Sequence, residues 1–377
     1  MVSRYGIWAV GFASYLIAAW ITSAIGPTLP AILEEFNIDL ATGGMVVSLF
    51  SLGGVFAFLG GFLSDKIGHA RTLSITLFII AVGVTIGVAA TSLPQFGAAL
   101  VIMGLGIPFL ASSVNALVSG IFQERKGMVV NLLNSGWSIG LSISPVVTAF
   151  LIGIGMGWRL SYLITAPVSL FLALLLYLTY SSDKKPLPTS RNPQKRVKTP
   201  VTALTLPAAS VFILGLEIGI VTWIPSILVS QGATLLAASG GIMLFSLLMG
   251  VGRIVFSPII DKMGFRKVIT VFAFLTTVML LAFSLQNNLE YKLVLLALSG
   301  MLYGPILPTL LAWVTTKYKD LSGTLSGAVF SFGRIGSFAI VGIIGLLLNT
   351  QGYIISQLIY PLLLLILIIY INILTGK

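Results

Sequence analysis

GFLSDKIGHAR (residues 61–71) returns later in the chain as SPIIDKMGFRK (residues 257–267), so the same acidic, basic and glycine-bearing stretch occurs twice. Asp65 of the first copy and Asp261 of the second are 196 positions apart. The same offset pairs Gly44 with Gly240, Gly54 with Gly250, Gly127 with Gly323, and Gly140 with Gly336. One constant spacing along the chain indicates two equivalent halves, in which the two stretches are equivalent loops.

The rest of the sequence is strongly apolar, with 57% hydrophobic and 8% charged residues in a chain of 377. About a quarter of the residues in soluble domains are charged, so this composition points to lipid as the main solvent. A membrane-spanning helix needs about 20 mostly apolar residues, and such runs follow one another along the chain. A membrane barrel is not expected, because its strands would alternate apolar and polar residues.

We predict an all-α membrane protein with twelve transmembrane helices in two pseudo-symmetric six-helix bundles. The approximate helix spans are 5–29, 40–64, 72–91, 94–120, 128–153, 160–181, 201–230, 236–260, 268–286, 291–316, 323–349 and 352–375. The predicted domains are an N-terminal bundle (1–181), a linker (182–200) and a C-terminal bundle (201–377). The linker follows from SSDKKPLPTSRNPQKRVKTP (181–200), the one long polar interruption.

Positive side chains predict the orientation in the membrane. If the chain alternates across the bilayer, 17 of its 21 Lys and Arg residues lie on one side, and only Arg159 and Lys292 on the other. Positive loops stay in the cytoplasm, so both termini and the linker are expected there, in the cell membrane. The acidic residues expected outside are Glu34, Glu35, Asp39 and Glu290. This topology explains the net charge of +11 without a nucleic-acid partner. The first helix leads into a second span, so no cleaved signal peptide is expected.

The repeated loop resembles the signature of the major facilitator superfamily, Gly-x-x-x-Asp-Arg/Lys-x-Gly-Arg/Lys-x-Arg/Lys. The matching residues are Gly61, Asp65, Lys66, Gly68 and Arg71 in the first copy, and Asp261, Lys262, Gly264, Arg266 and Lys267 in the second. His69 and Ser257 depart from the pattern, and Met103 stands where many members carry an arginine in helix four. GWRLSY (157–162) is also similar to the start of helix six in that family. The resemblance implies a secondary transporter whose two halves rock about a midplane site.

The repeated loop also predicts a gate on the cytoplasmic side. Asp65 would lie near the start of helix eleven and Asp261 near the start of helix five, where unpaired N–H groups attract a carboxylate. Gly127 and Gly323 at these starts would permit close backbone approach. The predicted gate residues are Asp65, Lys66, Gly68, Arg71, Gly127, Asp261, Lys262, Gly264 and Gly323. The alternative is that these loops only determine topology.

Three ionisable residues, Glu217, Arg253 and Arg334, lie within predicted helices seven, eight and eleven. A charge at bilayer depth costs roughly 3 kcal/mol or more and marks a functional candidate. One alternative is a static salt bridge between the glutamate and one arginine. One carboxylate cannot neutralise two guanidiniums, however, so a bound anion would compensate the remaining charge. We expect Glu217 to carry a coupled proton whose arrival releases an arginine.

Polar and aromatic residues in other helices are expected to complete a substrate pocket. The predicted set is Tyr15, Trp20, Asn115, Asn134, Trp137 and Tyr303. Stacking and amide hydrogen bonds commonly hold sugars in this way. The alternative for each residue is a packing role or a position at the membrane interface.

Helix seven, with Gly215-x-Glu217-x-Gly219-x-x-x-Trp223-Ile224-Pro225, is similar to that of sugar carriers in the fucose-permease-like branch. Asn131, Asn134 and Gly140 are similar to helix five of that branch, but the acids of its helices one and four are absent. The glycines and the proline predict a helix that is interrupted at the binding site.

The predicted function is secondary active transport of a small polar organic solute, coupled to protons. The buried arginines favour an organic anion, and helix seven favours a neutral sugar in symport with a cation; drug or metabolite efflux by antiport is the third alternative. The expected partners are the solute, protons or another cation, and the lipid bilayer, and the chain is expected to be a monomer. No cofactor, metal or enzymatic activity is expected, because Cys is absent and the single His lies in a loop. A receptor or an embedded enzyme is a remote alternative.

Overall fold

The computed structural model of the protein describes residues 4–122, 126–180, 201–256, 262–318 and 321–375. Within these ranges the regular elements are α-helices joined by short 3₁₀ segments, and no strand occurs. The α-helices are α1 (Arg4–Glu35), α2 (Leu40–Gly53), α3 (Ala57–Ile67), α4 (His69–Ala89), α5 (Leu93–Ile121), α6 (Lys126–Gly153), α7 (Arg159–Leu163), α8 (Thr165–Tyr180), α9 (Thr205–Ala208), α10 (Ser210–Ser230), α11 (Leu235–Val255), α12 (Phe265–Leu285), α13 (Leu289–Tyr303), α14 (Ile306–Lys317), α15 (Ser322–Thr350) and α16 (Gly352–Thr375).

The number of membrane crossings agrees with the sequence prediction. By length and composition, 11 helical segments of the described chain could span a bilayer, and the shorter apolar segment Leu40–Phe56 adds to them. That segment passes through the 3₁₀ turn Gly54–Phe56 into α3, so α2 and α3 together make the remaining crossing. The prediction of an all-α, twelve-helix membrane protein is therefore confirmed.

The first helix is longer than the sequence predicted. Its predicted span is 5–29, but α1 contains both Pro27 and Pro30, residues that usually disfavour a helix interior, and continues to Glu35. Leu29 and Ile32 are fully or almost fully buried in these last turns. Their packing outweighs the local preference of proline.

Backbone contacts repeat between the two halves, with the glycines at the same offset as the sequence repeat and their partners one residue short of it. A Cβ atom added to Gly104 of α5 would lie 1.8 Å from the carbonyl oxygen of Phe50 in α2. A Cβ on Gly300 of α13 would lie 2.2 Å from the carbonyl oxygen of Phe245 in α11. Each pair of helices thus approaches too closely for any side chain at the glycine, which is the use of small residues in membrane helix packing.

A second pair of contacts follows the same rule. A Cβ on Gly140 of α6 would lie 2.5 Å from the carbonyl oxygen of Leu16 in α1, and one on Gly336 of α15 would lie 2.0 Å from that of Val211 in α10. Helices α1 and α6 therefore pack as α10 and α15 do. The division of the chain at 1–181, 182–200 and 201–377 stays a prediction, and the linker lies outside the described residues.

The two halves meet through α1 against α10, α2 and α3 against α15, and α6 against α11. We call the face of the bundle at Arg4 and Thr375 the terminal side, and the face at Glu35 and Thr350 the distal side. Any site between the halves is lined by these helices.

Another close glycine contact, at Gly252, gives a test of the packing. A Cβ on Gly252 would lie 1.9 Å from the carbonyl oxygen of Met301, whereas one on Gly250, in the same helix, would meet nothing within 4 Å. We expect Gly252→Ala to destabilise the protein by about 1–3 kcal/mol through overpacking, measured as a lower unfolding temperature in detergent. Gly250→Ala is the matched control and should change stability by less than about 0.5 kcal/mol. Equal effects of the two substitutions would contradict the packing.

Candidate functional site

The carboxylate of Glu217 lies in the interior of the C-terminal helices. Glu217 is in the middle of α10, and only 5% of its surface is exposed. The hydroxyl of Tyr303 in α13 donates to Glu217 Oε2 at 3.3 Å and to the carbonyl oxygen of Ile213 at 2.8 Å. One proton is shared between two acceptors, so this hydrogen bond satisfies the carboxylate only in part.

Two arginines face this carboxylate without pairing with it. The charges of Arg253 and Arg334 both act on Glu217, but neither side chain comes within 4.0 Å of it. The static salt bridge considered from the sequence is therefore absent among these three described residues. Arg253 Nε donates to the carbonyl oxygen of Gly304 at 3.3 Å.

Arg334 stands at the boundary between the halves. It projects from α15 onto the turn between α2 and α3, where a Cβ on Gly54 would lie 2.8 Å from its Cδ and 3.1 Å from its Nε. A side chain at position 54 would displace the arginine from this place. Its side chain is partly exposed, and within the described part of the chain its guanidinium makes no hydrogen bond of its own. An arginine offers five N–H donors, so this group is open to a ligand.

Four of the residues predicted to bind substrate come together in the N-terminal half. Asn115 Nδ2 donates to Tyr15 Oη at 2.6 Å, and Asn134 Nδ2 donates to Asn115 Oδ1 at 3.4 Å. The rings of Tyr15 and Trp137 meet edge to face, with centroids 6.4 Å apart. These residues, which we call the amide–aromatic cluster, link α1, α5 and α6. Tyr303, the remaining C-terminal member of the prediction, adjoins Glu217 instead.

Trp20 does not join this cluster. Its Nε1 donates to the carbonyl oxygen of Ser161 at 2.8 Å, and its own carbonyl accepts from Ser144 Oγ at 2.9 Å. These bonds fasten α1 to α6 and α7. The indole N–H thus has a partner in a neighbouring helix, and a substrate contact of Trp20 stays a prediction.

The prediction of an interrupted helix seven is also wrong. Residues Ser210–Ser230 form one continuous α-helix that includes Pro225. The glycines serve packing: a Cβ on Gly215 would lie 3.0 Å from Ile340 Cγ1, and one on Gly219 would lie 3.2 Å from Ile344 Cδ1. They therefore let α15 lie close to α10.

A comparison with known proteins assigns the family. The sequence model described as the Major Facilitator Superfamily matches residues 11–341. The chain belongs to the major facilitator superfamily. It is therefore an integral membrane protein of a family of transporters, as the repeated loop predicted.

Named relatives within the superfamily cover most of the chain. NiaP of Bacillus subtilis, named for niacin and nicotinamide transport, is 26% identical over 351 residues, 89% of this chain and 86% of that protein. The cis,cis-muconate transport protein of Acinetobacter baylyi is 24% identical over 374 residues, 92% of this chain and 89% of that protein. Protein TsgA of Escherichia coli is 23% identical over 350 residues, 91% of this chain and 88% of that protein.

Solved superfamily structures have the same fold. A bacterial homologue of the human lysosomal transporter Spinster, in an inward-facing and unoccupied conformation, superposes with a TM-score of 0.78 at 13% identity, covering 99% of this chain and 97% of that one. The inward-facing and occupied form of such a homologue gives a TM-score of 0.76 at 14% identity, covering 100% and 97%. At this level of identity the likeness shows the fold alone.

The superfamily signature has the same backbone conformation in both copies. Gly68 has φ +94° and Gly264 has φ +78°, both in a region that favours glycine. Lys66, Arg71 and Lys262 are exposed. The structure does not describe the surroundings of the Asp65 side chain, of Gly127 or of Gly323, and Asp261 lies outside the described residues. The gate they were predicted to form stays a prediction, although α3, which carries Asp65, does pack against α15.

The halves are in close contact on the distal side. A Cβ on Gly345 would lie 2.9 Å from Gly44 Cα and 2.8 Å from both Leu40 O and Trp223 Cζ2. Nearby, a Cβ on Gly26 of α1 would lie 2.2 Å from the carbonyl oxygen of Val221 in α10. We call these glycine contacts the distal closure. They leave no space between the halves at this depth.

A hydrogen bond accompanies the distal closure at its rim. Asn349 Nδ2 in α15 donates to Asp39 Oδ2 at 3.2 Å, while Asp39 Oδ1 caps α2 by accepting from the Thr42 backbone N–H at 2.8 Å. Hydrogen bonding from Thr42, with a smaller effect from Asn349, holds the pKa of Asp39 below its usual value. The carboxylate therefore stays ionised and available to α15.

Sequence reasoning missed an ion pair on the same side. Arg159 binds the carboxylate of Glu35 through two guanidinium nitrogens, and it is the one ion pair in the described part of the chain. Arg159 Nε also donates to the Val88 carbonyl at 2.8 Å, and Trp158 Nε1 donates to Glu35 Oε2 at 2.8 Å. The group ties the ends of α1 and α4 to α7. The available signal was GWRLSY (157–162) together with an acid at the end of helix one.

The distal closure can be tested with one methyl group. We expect Gly345→Ala to separate the halves on the distal side, because its Cβ would overlap two backbone atoms and Trp223. The chain contains no cysteine, so spin labels on Glu34→Cys and Thr350→Cys, both exposed, report this distance alone. The variant should show an additional, longer distance by electron paramagnetic resonance.

Gly342→Ala is the control, since its Cβ would meet nothing within 4 Å in the same helix. It should leave the distance distribution unchanged. An unchanged distribution in Gly345→Ala as well would refute the closure.

Proposed function

We propose that this superfamily member is a proton-coupled carrier of a small organic anion, such as a carboxylate, moved by alternating access. The observation that carries the proposal is Arg334. Its guanidinium lies between the two halves, inside an apolar bundle, with no hydrogen bond of its own among the described residues. A substrate carboxylate would accept two parallel hydrogen bonds from such a group.

The charge balance supports an anionic substrate. Arg253 and Arg334 carry two positive charges, and Glu217 carries at most one negative charge. An uncompensated ion in a low-dielectric interior costs several kcal/mol, so these two arginines favour the arrival of a negative charge. A neutral or cationic solute would leave that cost in place.

The amide–aromatic cluster supports recognition of the rest of the solute. Asn115, Asn134 and Tyr15 offer hydrogen-bonding groups, and Trp137 offers an aromatic face. The cluster lies in the N-terminal half and Arg334 in the C-terminal half, so a solute that contacts both would connect the two halves. The same cluster is the observation that favours the second candidate, a neutral sugar, which stacking and amide hydrogen bonds would also hold.

The relatives support an organic solute. Niacin and cis,cis-muconate, after which two of them are named, are small unsaturated carboxylates, whereas nicotinamide is a neutral amide. The identities of 24–26% leave room for a different substrate of the same class. Niacin and cis,cis-muconate both carry a carboxylate, and a carboxylate is also the group that would balance the charge of Arg334.

Alternating access is supported by the close contact of the halves on the distal side. The distal closure seals one side, and two structural neighbours are described as inward-facing. If the terminal side is cytoplasmic, as its positive charge suggests, the distal closure seals the external side of the membrane. Release of the distal closure and closure at the loops of Asp65 and Asp261 would then give the opposite state.

Proton coupling is assigned to Glu217. Its carboxylate is buried and shares one hydroxyl proton with a backbone carbonyl, so it is not committed to a fixed partner. Protonation would remove the negative charge nearest the arginines and strengthen their pull on a substrate anion. Proton and substrate would therefore favour each other, as symport requires.

The substrate class can be tested by ligand-dependent thermal stability. We expect carboxylates to stabilise the purified protein and Arg334→Gln to weaken their binding about 10-fold to 100-fold, because a hydrogen bond to a charged group contributes about 1.5–3 kcal/mol. Arg4→Gln, an exposed arginine with the same change of charge, is the control and should bind as the wild type does. Stabilisation by neutral hexoses that survives Arg334→Gln would favour the sugar instead.

The coupling role is tested by separating accumulation from exchange in proteoliposomes. We expect Glu217→Gln to abolish uptake driven by a proton gradient while solute exchange at equal pH continues, because the amide cannot carry the proton. Glu290→Gln makes the same change at an exposed residue and should accumulate solute normally. Unchanged accumulation by Glu217→Gln would reject the proposed coupling.

A further inference from the structure

A second buried cation lies away from the site between the halves. Lys292, in the first turn of α13, was expected only to lie on the side of the membrane opposite most of the positive charge, and it is buried, with 3% of its surface exposed. Its Nζ donates to Gln231 Oε1 at 2.7 Å and to Gln357 Oε1 at 3.1 Å, and it lies 5.0 Å from the centroid of the Phe283 ring. The ammonium is therefore surrounded by neutral groups from three other segments of the C-terminal half.

No negative charge balances this ammonium within the described chain. Lys292 forms no ion pair within 4.0 Å, and Glu290, two residues earlier in the same helix, is exposed. Two amide oxygens and an aromatic face offset only part of the cost of burying an ion. The site is short of one negative charge.

The amide of Gln357 supplies a second donor without an acceptor. This residue is fully buried, and its Nε2 has no hydrogen-bond partner. The orientation of the amide is fixed chemically, because Oε1 must face the ammonium and a flipped amide would set N–H groups against N–H groups. An unpaired buried donor costs about 1–3 kcal/mol. An ammonium and an unpaired amide N–H thus lie side by side.

The location is separate from the proposed transport site. The surrounding segments are α12, α13, α16 and the residue that follows α10, and the first three are not among the helices through which the halves meet. Gln231 is exposed on the distal side. It therefore gives a short path from the aqueous phase to Lys292.

We propose that Lys292, Gln231 and Gln357 form a binding site for a small monovalent inorganic anion, such as chloride. The anion supplies the missing charge and accepts from both Lys292 Nζ and Gln357 Nε2. A water molecule would satisfy the amide but would leave the charge of the lysine unbalanced. The site binds its anion independently of transport and holds α13 and α16 together.

The test measures the unfolding temperature of the purified protein in sodium chloride and in sodium methanesulfonate at equal ionic strength. Methanesulfonate has the same charge but is a larger, more weakly binding anion than chloride. We expect chloride to raise the unfolding temperature by about 2–4 °C more than methanesulfonate, in a saturable manner. Equal unfolding temperatures in the two salts would overturn the proposal. Lys292 would then be uncharged, or hydrated by water instead of paired with an anion.

Three variants make the test specific to this site. Lys292→Met should abolish the difference between chloride and methanesulfonate. Gln357→Glu keeps the lysine and provides a carboxylate in place of the anion, so the protein should be stable in both salts and lose its chloride dependence. Lys317→Met, the same change at an exposed residue, should retain the dependence in full.

If Lys292→Met fails to fold, Gln357→Glu still tests the site. Chloride dependence that persists in a folded Gln357→Glu protein would overturn the proposal, and so would persistence in Lys292→Met. A crystal grown in bromide gives an independent readout, because an anomalous peak beside Lys292 Nζ is expected. A crystal grown in bromide that lacks this anomalous peak would overturn the proposal.

Discussion

The architecture depends on one electrostatic constraint, which is that an arginine keeps its charge even inside an apolar bundle and must therefore find a negative partner. Arg253 and Arg334 have Glu217 in common, and it pairs closely with neither. The unbalanced charge lies where the two halves meet, against Gly54. A solute that brings the missing charge is stabilised there more than one that does not, and a difference of that kind is what can shift a conformational equilibrium.

Glycine sets how closely the helices approach around this charge. Lipid provides no hydrophobic force between helices, so van der Waals contact must hold them together and small residues make that contact possible. Within each half, Gly104 and Gly300 bring helices into backbone contact. Between the halves, Gly44 and Gly345 do the same on the distal side. Apart from the indole of Trp223, this contact is between backbone atoms, so the halves can separate there with little repacking of either bundle.

Two cations outside the centre meet the same constraint in different ways. Arg159 has the carboxylate of Glu35 and backbone carbonyls as partners, so its charge and its donors are satisfied and it holds the ends of three helices together. Lys292 has amide oxygens from Gln231 and Gln357 but no carboxylate. The first group needs nothing from solution, whereas the second needs an anion. Burial alone therefore does not decide whether a cation is structural; the charge of its partners does.

The sequence by itself determined the fold class, because apolar runs of membrane length and a 196-residue repeat are periodic features that need no coordinates. It also selected the three interior charges, since a charge within an apolar run is visible on inspection. It could not determine which polar residues meet. Asn115 and Tyr15 are 100 positions apart and form one cluster, while Trp20, chosen on the same grounds, packs elsewhere. Only the tertiary structure decided which of these residues meet, and only the tertiary structure shows that Lys292 is buried. Contacts between helices depend on the rotation and depth of each helix, which hydropathy does not encode.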